Sequence, residues 1–407
     1  MNTNKNAKEL IESAEKQLKS VFDDIDKTEL INTERVLNAF RSERIAAQNF
    51  AQTNGYGYDD IGRDALDRVF AKAYFCEDAL VRTQFASGTH TIYLALDGLL
   101  RYGDSIIFAS GEPYDTLQTA IENKNSFANN GVKCINVELR NGKIDVDRVL
   151  SLADNTTKIV YIQRSRGYCW RDAILPEDME ELFTKVHKKS DKIITVVDNC
   201  YGEFTCENEP SCFGADVMVG SLIKNAGGGL APTGGYICGK KKYISIIEDR
   251  MTVPGMGREI GSYAASYMPL YEGLFVAPHV TAQALKTAVL FAKIFEMLGL
   301  ETLPASDAKR SDIVQSLKLN DPDKLVSFCR SIQACSPVDS YVVPEPWDMP
   351  GYNHQVIMAA GTFVQGSSIE LTADGPMREP YIAYVQGALT YAHGKLAAEK
   401  AIAEFIK

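Results

Sequence analysis

The chain has 407 residues, of which 45% are apolar and 24% are charged, which is enough for two ordinary globular domains. Acidic residues outnumber basic ones by 53 to 43, and the resulting formal charge of −10 argues against a nucleic-acid partner. No segment approaches the roughly 18 consecutive apolar residues of a membrane span, and the first residues lack the apolar region of a signal peptide. We therefore expect a cytoplasmic protein without a membrane partner.

The cysteines and histidines give no sign of a metal site or of a disulfide framework. Nine cysteines are an odd number, and their scattered positions favour reduced thiols. Cys200, Cys206 and Cys212 recur every six residues, but no close pair accompanies them. We predict that the chain holds no metal.

From residue 79 onward, short apolar runs alternate with helical patterns. The predicted strands and helices, in chain order, are strand 79–85, helix 91–101, strand 105–110, helix 113–124, strand 132–139, helix 146–153, strand 158–163, helix 176–189, strand 192–198 and strand 215–221. This alternation predicts an α/β fold with a mostly parallel, doubly wound sheet. Beyond it, a helix over 281–298 precedes a smaller mixed region that ends in a further helix.

Two charged residues follow apolar runs of this predicted sheet. Asp198 ends the strand in KIITVVD, and Lys224 follows the strand in ADVMVGS and precedes NAGGG. Ligands bind at the carboxyl ends of strands in such sheets, so both side chains are predicted to reach one crevice. A lysine that forms a Schiff base and a carboxylate that pairs with a pyridine nitrogen are the groups that pyridoxal 5'-phosphate (PLP) requires.

The other requirements of PLP have candidates in the same sequence. Ser87, Gly88 and Thr89 stand between a strand and a helix, where backbone N–H groups bind phosphate. Ser221 adds a hydroxyl, and Tyr114 follows a proline where its ring could cover the cofactor. Each residue also has a purely structural reading, as a helix cap, a turn, a solvated loop or packing. Their occurrence together, in this order, favours PLP.

The chain resembles the bacterial aluminium-resistance protein family, which is related to cystathionine beta-lyase and methionine gamma-lyase. The segments that carry the resemblance are GYGYDDIGRDALDRVFA, SGTHTI, GEPYDTL, QRSRGY, VDNCYGEF, GSLIKNAGGGLAPTGGYI and ELTADGPMREPY. The resemblance implies a PLP-dependent transferase-like fold of type I. It also implies three regions: a helical or extended segment over 1–60 that contacts a partner subunit, a large PLP-binding domain over 61–275, and a small α+β domain over 276–407.

The resemblance gives a role to each candidate residue of the site. It implies that Lys224 is the Schiff-base lysine, that Asp198 contacts the pyridine nitrogen and that Tyr114 lies on the ring face. Ser87, Gly88, Thr89 and Ser221 are implied as the residues around the phosphate.

The resemblance further implies a homodimer or homotetramer with sites shared between subunits. Tyr58 and Arg63 in GYGYDDIGR are the candidates that reach the phosphate of a neighbouring subunit, although their spacing differs from that of the lyases. The GYGY stretch is alternatively a loop whose tyrosines pack on a partner.

Three arginines are candidates for substrate binding, because a guanidinium matches a planar carboxylate with two parallel hydrogen bonds. Arg378 in TADGPMREPY is the candidate for the amino-acid carboxylate, and its alternative is a surface ion pair with Glu379. Arg164 and Arg166 in QRSRGY depart from the lyase pattern. They could hold an acidic substrate or the phenolate oxygen of the cofactor, or pair structurally with an acid elsewhere.

These features predict a carbon–sulfur lyase that releases a 2-oxo acid, ammonia and a thiol from a sulfur-containing amino acid. The released Lys224 amine, with a pKa lowered by its surroundings, would remove the α-proton. Two alternatives stay open at this point. One is a PLP-dependent aminotransferase, and the other is a non-catalytic PLP-binding protein that acts in aluminium or metal tolerance.

Overall fold

The computed structural model describes residues 2–349, 352, 354–403 and 405. The helices are α1 (Asn2–Ser42), α2 (Ile61–Ala73), α3 (Gly88–Leu99), α4 (Asp115–Glu122), α5 (Val146–Leu152), α6 (Glu180–Lys189), α7 (Lys241–Met251), α8 (Met268–Met297), α9 (Pro322–Gln333) and α10 (Tyr391–Ile402). The strands are β1 (Asp78–Arg82), β2 (Ser105–Phe108), β3 (Lys133–Asn136), β4 (Thr157–Gln163), β5 (Ile194–Asp198), β6 (Val217–Ser221), β7 (Gly235–Gly239), β8 (Thr302–Leu303), β9 (Val314–Lys318), β10 (Val356–Ala359), β11 (Thr372–Pro376) and β12 (Ile382–Gln386).

The larger sheet has seven strands in the order β1-β7-β6-β5-β4-β2-β3. Strands β2 to β6 pair in parallel, which confirms the predicted mostly parallel α/β sheet. Strand β7 is antiparallel to both of its neighbours and was not predicted. Its sequence, GYICG, begins and ends with glycine, and a side chain on Gly235 would collide with Thr91 of α3. The glycine that allows this close contact with α3 also weakens the apolar pattern by which a strand is predicted.

The strands of this sheet are apolar throughout because both faces are covered. Along β4, Ile159 and Tyr161 pack into the core on one side, and Val160 and Ile162 pack into the core on the other. All four side chains are fully buried. A strand with two buried faces reads as a continuous apolar run, which is the pattern from which these strands were predicted.

The smaller sheet is antiparallel, with five strands in the order β10-β11-β12-β9-β8. It shares an apolar core with α8, α9 and α10, as expected for an α+β domain. Helix α8 begins at Met268 and runs without interruption through the predicted domain boundary at 275/276. One helix therefore belongs to both domains, and the boundary cannot be drawn between those two residues.

Helix α1 also contacts both domains of its own chain. Ala7, Ile11, Ala14 and Leu18 lie one or two turns apart and are buried in the core of the small domain. Further along α1, the side-chain amide of Asn32 donates to the backbone oxygen of Phe204 at 3.0 Å, in the large domain. The segment predicted to contact a partner subunit is thus extensively packed within the chain itself.

Helix α8 is long and apolar enough to span a membrane, but 72% of its most apolar 18-residue window is buried inside the chain. This burial is typical of the core helix of a globular enzyme, in agreement with the core role predicted for residues 281–298. All nine cysteines are unpaired. Across the described part of the chain, no group of three histidine, cysteine or acidic side chains has an arrangement that could hold a metal ion.

Candidate active site

Asp198 and Lys224 stand beyond the carboxyl ends of two neighbouring parallel strands. Asp198 is the last residue of β5, and Lys224 comes three positions after Ser221, the last residue of β6. The parallel register places Asp198 opposite Val219. Since parallel neighbours end at the same edge of a sheet, the fold brings both charged groups to one crevice, as the sequence predicted.

The Asp198 carboxylate is buried but only partly satisfied. The residue is 4% exposed, its Oδ1 accepts a hydrogen bond from the backbone N–H of Cys200 at 3.0 Å, and its Oδ2 accepts one from the hydroxyl of Tyr161 at 3.4 Å. Burial raises the pKa of Asp198, and the positive charge of Lys224 opposes that shift. A carboxylate has room for about four donors, so Asp198 keeps the capacity to accept a further N–H.

The Lys224 amine lies over the face of an aromatic ring. Its Nζ is 3.9 Å from the ring centroid of Tyr201, and no acceptor among the described residues forms a hydrogen bond with it. Burial lowers the pKa of Lys224, but Cys200, Tyr201 and Asp198 act in the opposite direction and leave it well above its ordinary value. The neighbours of the amine thus favour its charged form in the cofactor-free chain. The lowered pKa expected of the amine that a substrate releases concerns the cofactor-loaded site and stays a prediction.

The predicted phosphate residues converge from a helix start and a strand end. Ser87 caps α3, its Oγ accepting from the backbone N–H of His90 at 3.0 Å. A Cβ placed on Gly88 would lie 3.2 Å from the Cβ of Ser221, so the glycine allows the two segments to meet. The Ser221 hydroxyl is buried without a hydrogen-bond partner. A buried hydroxyl beside free helix N–H groups is an arrangement that suits an anion.

Tyr114 immediately precedes α4 on the other side of the same crevice. Its hydroxyl lies 2.9 Å from Thr89 Oγ1, and its backbone N–H donates to Gln163 Oε1 at 2.9 Å. Burial raises the pKa of Tyr114, and the carboxylate of Asp198 raises it further, so the two residues are electrostatically coupled. The bond to Gln163 gives the glutamine a positioning role that the sequence did not reveal.

Arg164 does not have the free guanidinium that the prediction of substrate binding requires. The residue is fully buried, and its Nη1 donates to Asn199 Oδ1 at 2.7 Å and lies 3.6 Å from Glu209 Oε2. Its Nε donates to Ser311 Oγ at 2.8 Å, and its Nη2 donates to the side chain of Thr205 at 3.3 Å. We correct the assignment, because every guanidinium nitrogen already has a partner inside the protein.

Arg166 requires the same correction. Its Nε and Nη2 form a forked pair with the two carboxylate oxygens of Asp312, at 3.3 and 3.1 Å, and its Nη1 donates to the backbone oxygen of Leu303 at 2.7 Å. Both Arg166 and Asp312 are buried. Of the roles that the sequence left open for Arg166, the geometry supports the structural pairing with an acid, which is Asp312.

Arg378, by contrast, is exposed at the rim of the small domain. Its Nη2 makes one long contact, 3.5 Å, with the backbone oxygen of Tyr168. No ion pair with Glu379 forms among the described residues. Burial raises the pKa of Asp115, the first residue of α4, and the positive charges of Arg378 and His354 partly reverse this. The guanidinium therefore acts across the crevice on the segment that carries Tyr114.

Tyr58 lies in the surface segment that precedes α2, and Arg63 lies in the first turn of α2. Tyr58 is 57% exposed and stacks on Tyr56 with a centroid separation of 5.4 Å. Arg63 is only 2% exposed, and it donates to the backbone oxygen of Gly57 at 2.9 Å and to Asp64. The sharing of a site with a second subunit stays a prediction. Within this chain, Arg63 holds the turn that presents Tyr58.

Tyr201, which the sequence analysis did not single out, lies at the centre of the crevice. The signal that could have revealed it is an aromatic residue in the turn directly after Asp198. Tyr168, Tyr352 and Tyr384 form a second aromatic group near it, with Tyr168 5.0 Å from Tyr384 and 5.8 Å from Tyr352. Tyr168 follows β4 of the large domain, whereas Tyr352 and Tyr384 belong to the small domain, so this group joins the two domains.

Comparison with known proteins identifies the family of the chain. The family model described as methionine gamma-lyase matches residues 7–406. The protein YnbB of Bacillus subtilis (strain 168) is 48% identical over 372 residues, which cover 90% of this chain and 88% of that protein. A carbon-sulfur lyase involved in aluminum resistance from Clostridium novyi NT superposes with a TM-score of 0.95 at 46% identity, covering 99% of this chain and 97% of that one.

A more distant structure shows the fold alone. The metY protein of Campylobacter jejuni subsp. jejuni NCTC 11168, at 16% identity, has a TM-score of 0.57 over 87% of this chain and 90% of its own. That structure carries pyridoxyl-lysine-5'-monophosphate. The sheet order, the separate antiparallel domain and these matches agree on the type I fold of PLP-dependent enzymes, and the chain belongs to the methionine gamma-lyase family.

Proposed function

We propose that the protein is a PLP-dependent carbon–sulfur lyase that acts on a sulfur-containing amino acid such as cystathionine, cysteine or methionine. An α,β- or α,γ-elimination, followed by hydrolysis with one water, gives a 2-oxo acid, ammonia and a thiol. The observation that carries the proposal is the meeting of Lys224 with Asp198 at one sheet edge, in a chain of the methionine gamma-lyase family.

The residues of the crevice fit PLP. The unpartnered Ser221 hydroxyl, the start of α3 at Gly88 and the contact between them suit a phosphate group. The spare acceptor capacity of Asp198 suits a protonated pyridine nitrogen, and Lys224 supplies the amine that binds an aldehyde. The Tyr114 ring is positioned by Thr89 and Gln163 to cover a flat ligand.

When bound, PLP withdraws electrons from the α-carbon of an amino acid and so makes its α-proton acidic. Lys224 Nζ then accepts that proton, which requires that the amine be neutral at that moment. In an α,β-elimination, the bond between carbon and sulfur would then break with its electron pair going to sulfur, and the Lys224 ammonium would donate the proton that the leaving thiolate takes up. An α,γ-elimination would also require Lys224 to move a proton from the β-carbon before that bond breaks. Asp198 would hold the protonated pyridine nitrogen with its carboxylate.

Arg378 is the residue that we propose for the carboxylate of the substrate. Its guanidinium is exposed, faces the α4 side of the crevice and has only the long contact with Tyr168. Every guanidinium nitrogen of Arg164 and Arg166 is already bonded to a partner inside the protein. Among the arginines predicted to bind substrate, Arg378 is therefore the one with a guanidinium available.

We also propose that the protein is cytoplasmic and forms a homodimer or a homotetramer. Tyr56 and Tyr58 form an exposed stacked pair. A Cβ added to Gly57 between them would lie 2.9 Å from the Cα of Ser262, whose backbone oxygen accepts a hydrogen bond from Gln84 in the loop that leads to α3. An exposed aromatic pair in this place would be covered by a second copy. Size-exclusion chromatography at micromolar concentration tests this, since a monomer would contradict the assignment of Tyr58 and Arg63.

The deciding experiment measures 2-oxo acid release by the PLP-loaded protein from cystathionine, cysteine, cystine, methionine and homocysteine. Lys224→Ala is expected to lower the rate by at least about 10³-fold, since the residue is both anchor and base. Lys242→Ala, on the surface, is the matched control and should leave the rate unchanged. Pyruvate would identify β-elimination and 2-oxobutyrate would identify γ-elimination.

Two other results would contradict the lyase proposal. Accumulation of the pyridoxamine form with one amino acid alone would identify an aminotransferase. A protein that binds PLP through Lys224 but releases no 2-oxo acid from any of these substrates would be a non-catalytic binder or would use a substrate without sulfur.

A further inference from the structure

Tyr201 occupies a special position in the turn that follows Asp198. Its φ is +69°, in the left-handed region that residues other than glycine rarely adopt. Its ring centroid lies 3.9 Å from Lys224 Nζ, well inside the roughly 6 Å limit for a cation over an aromatic face. A strained residue beside a reactive lysine persists only where the surrounding contacts hold it.

Contacts on two sides hold Tyr201 in this position. The side-chain amide of Asn225, the residue after Lys224, donates to the backbone oxygens of Tyr201 at 2.9 Å and Glu203 at 3.1 Å. Tyr201 also packs against the apolar cluster of Val314, Ile382 and Tyr384 in the small-domain sheet. The amide therefore ties the turn to the lysine segment, and the small-domain cluster supports the tyrosine.

The contact of Lys224 differs from the other lysine and ring contacts of the described chain. Lys286 lies 5.7 Å from the Phe22 centroid and forms an ion pair with Asp26. Lys318 lies 5.7 Å from the Trp170 centroid and forms an ion pair with Glu301. Lys242 lies 4.5 Å from the Tyr243 centroid and is exposed, whereas the amine of Lys224 is buried and closer to its ring, with no carboxylate ion pair among the described residues.

We propose that the face of Tyr201 is the resting site of the Lys224 ammonium whenever Nζ is not covalently bonded. Tyr201 is then a positioning residue, which keeps the free lysine charged and at a defined place in the crevice. A ring face stabilises the charged amine and not the neutral one. Only the neutral amine attacks an aldehyde or takes an α-proton. The Lys224 amine must therefore lose its proton, and with it the attraction to the Tyr201 ring, before it reacts.

Other ionisable groups near the Lys224 amine also affect its pKa. Asp198, at the end of β5, and Cys200, in the Tyr201 turn, lie within its electrostatic reach, and so does Tyr114, which precedes α4. Glu203 follows Tyr201 in the same turn and is fully buried. The contribution of the ring must therefore be measured by removing the ring alone, with these four groups left in place.

The test measures the reactivity of Lys224 in the full chain prepared without PLP. Trace acetic anhydride acetylates neutral amines, and mass spectrometry of the peptide that contains Lys224 gives the labelling rate at each pH. In the wild type, the midpoint of this profile is expected above the ordinary lysine pKa of about 10.4. Tyr201→Phe keeps the ring and should leave the midpoint unchanged.

Tyr201→Leu and Tyr201→Met remove the ring, and neither introduces a branch at Cβ that would oppose the positive φ. Both should lower the midpoint by about one pH unit and so raise labelling at pH 9 about tenfold. The midpoint reports the pKa, whereas the plateau at high pH reports access to the amine, so a merely looser site would change only the plateau. Tyr243→Leu removes the ring under the surface amine of Lys242 and should not affect Lys224.

Two results would overturn the proposal. One is an unchanged midpoint in a folded ring-less variant. The other is a wild-type midpoint below that of an ordinary lysine, which decides the question even where neither ring-less variant folds. The measurement uses no substrate, so a failure of the lyase proposal would leave it unaffected.

Discussion

Two buried charged regions follow strands of the same sheet, and they differ in how far their polar atoms are satisfied. The lysine edge, composed of Asp198, Ser221 and Lys224, leaves a hydroxyl unpartnered and an amine without a hydrogen bond among the described residues. The arginine network consists of Arg164 and Arg166 with Glu209 and Asp312. In it, every guanidinium nitrogen has a partner.

This difference separates the two regions. Both are rich in charge, buried and placed at the ends of parallel strands, so position and residue type do not distinguish them. A buried polar group is normally satisfied within the fold, and the Ser221 hydroxyl and the Lys224 amine of the lysine edge are two exceptions. In the arginine network, every guanidinium nitrogen already forms at least one bond inside the protein.

The largest expected effect comes from breaking the arginine network. Asp312→Ala leaves the buried Arg166 guanidinium without its carboxylate and should lower the free energy of unfolding by about 3–5 kcal/mol. Chemical denaturation measures this change. Glu301→Ala breaks the exposed pair with Lys318 and should cost less than about 1 kcal/mol. If Asp312→Ala leaves the protein stable and changes KM for the substrate, the result would instead indicate that Arg166 binds substrate.

The second prediction concerns Arg378, whose guanidinium makes only one long contact. Arg378→Ala should raise KM for the amino acid by about 10- to 100-fold, the worth of a lost charge-assisted hydrogen bond pair, while the absorption of bound PLP stays unchanged. Steady-state kinetics and the visible spectrum give the two readouts. Arg330→Ala, at another exposed arginine of the small domain, is the control and should leave KM as it is. An unchanged KM in Arg378→Ala would remove the assignment.

The third prediction concerns the buried carboxyl group of Glu203, which lies in the turn that follows Asp198. Burial raises the pKa of Glu203 from 4.5 to about 8, and its Oε2 has no partner. The folded chain keeps a proton that the unfolded chain loses, so the stability this gives is complete below pH 4.5 and disappears as the pH rises through about 8. Between these limits, stability should fall by up to about 1.4 kcal/mol per pH unit.

Glu203→Gln removes that titration, so its unfolding free energy should depend less steeply on pH between 5 and 8 than that of the wild type. The exposed Glu301→Gln provides the control, whose profile should match the wild type. Parallel profiles for Glu203→Gln and the wild type would show that Glu203 titrates normally.

The smallest effect is expected at Ser221, and its sign differs between the two forms of the protein. Ser221→Ala should weaken PLP binding about three- to tenfold, the worth of one hydrogen bond. In the cofactor-free chain it removes an unsatisfied buried hydroxyl, so stability should stay equal or rise. Spectroscopic PLP titration and thermal unfolding measure the two, with the exposed Ser245→Ala as control. A destabilised cofactor-free chain would mean that the hydroxyl has a structural role.

Much of the large domain could be predicted because its strands are buried on both faces and alternate with helices. The positions of Asp198 and Lys224 at one edge also followed from the order of elements alone. The roles of Arg164 and Arg166 could not be predicted, because their partners Ser311 and Asp312 lie more than 140 residues later in the chain. The local pattern QRSRGY contains no sign of those partners.

Tyr201 and β7 escaped prediction for different reasons. The role of Tyr201 depends on a left-handed turn and on support from the small-domain sheet, neither of which is encoded next to it. Strand β7 is bounded by glycines that permit close packing against α3 and β6, so it looked like a loop. In both cases the decisive contact comes from a part of the fold that is distant in the sequence.

Helix α1 has a consequence for how the chain is made. Ala7, Ile11 and Ala14 pack in one core with Ala401 and Ile402, so this core is complete only when residues nearly 400 positions later have emerged. At about 5–20 residues per second, that interval is roughly 20–80 s. The apolar stripe of α1 can pack on α8 only after α8 emerges, and the core stays incomplete until α10 follows. We expect the nascent chain to depend on chaperones through this period, and the large domain to fold well before the small one.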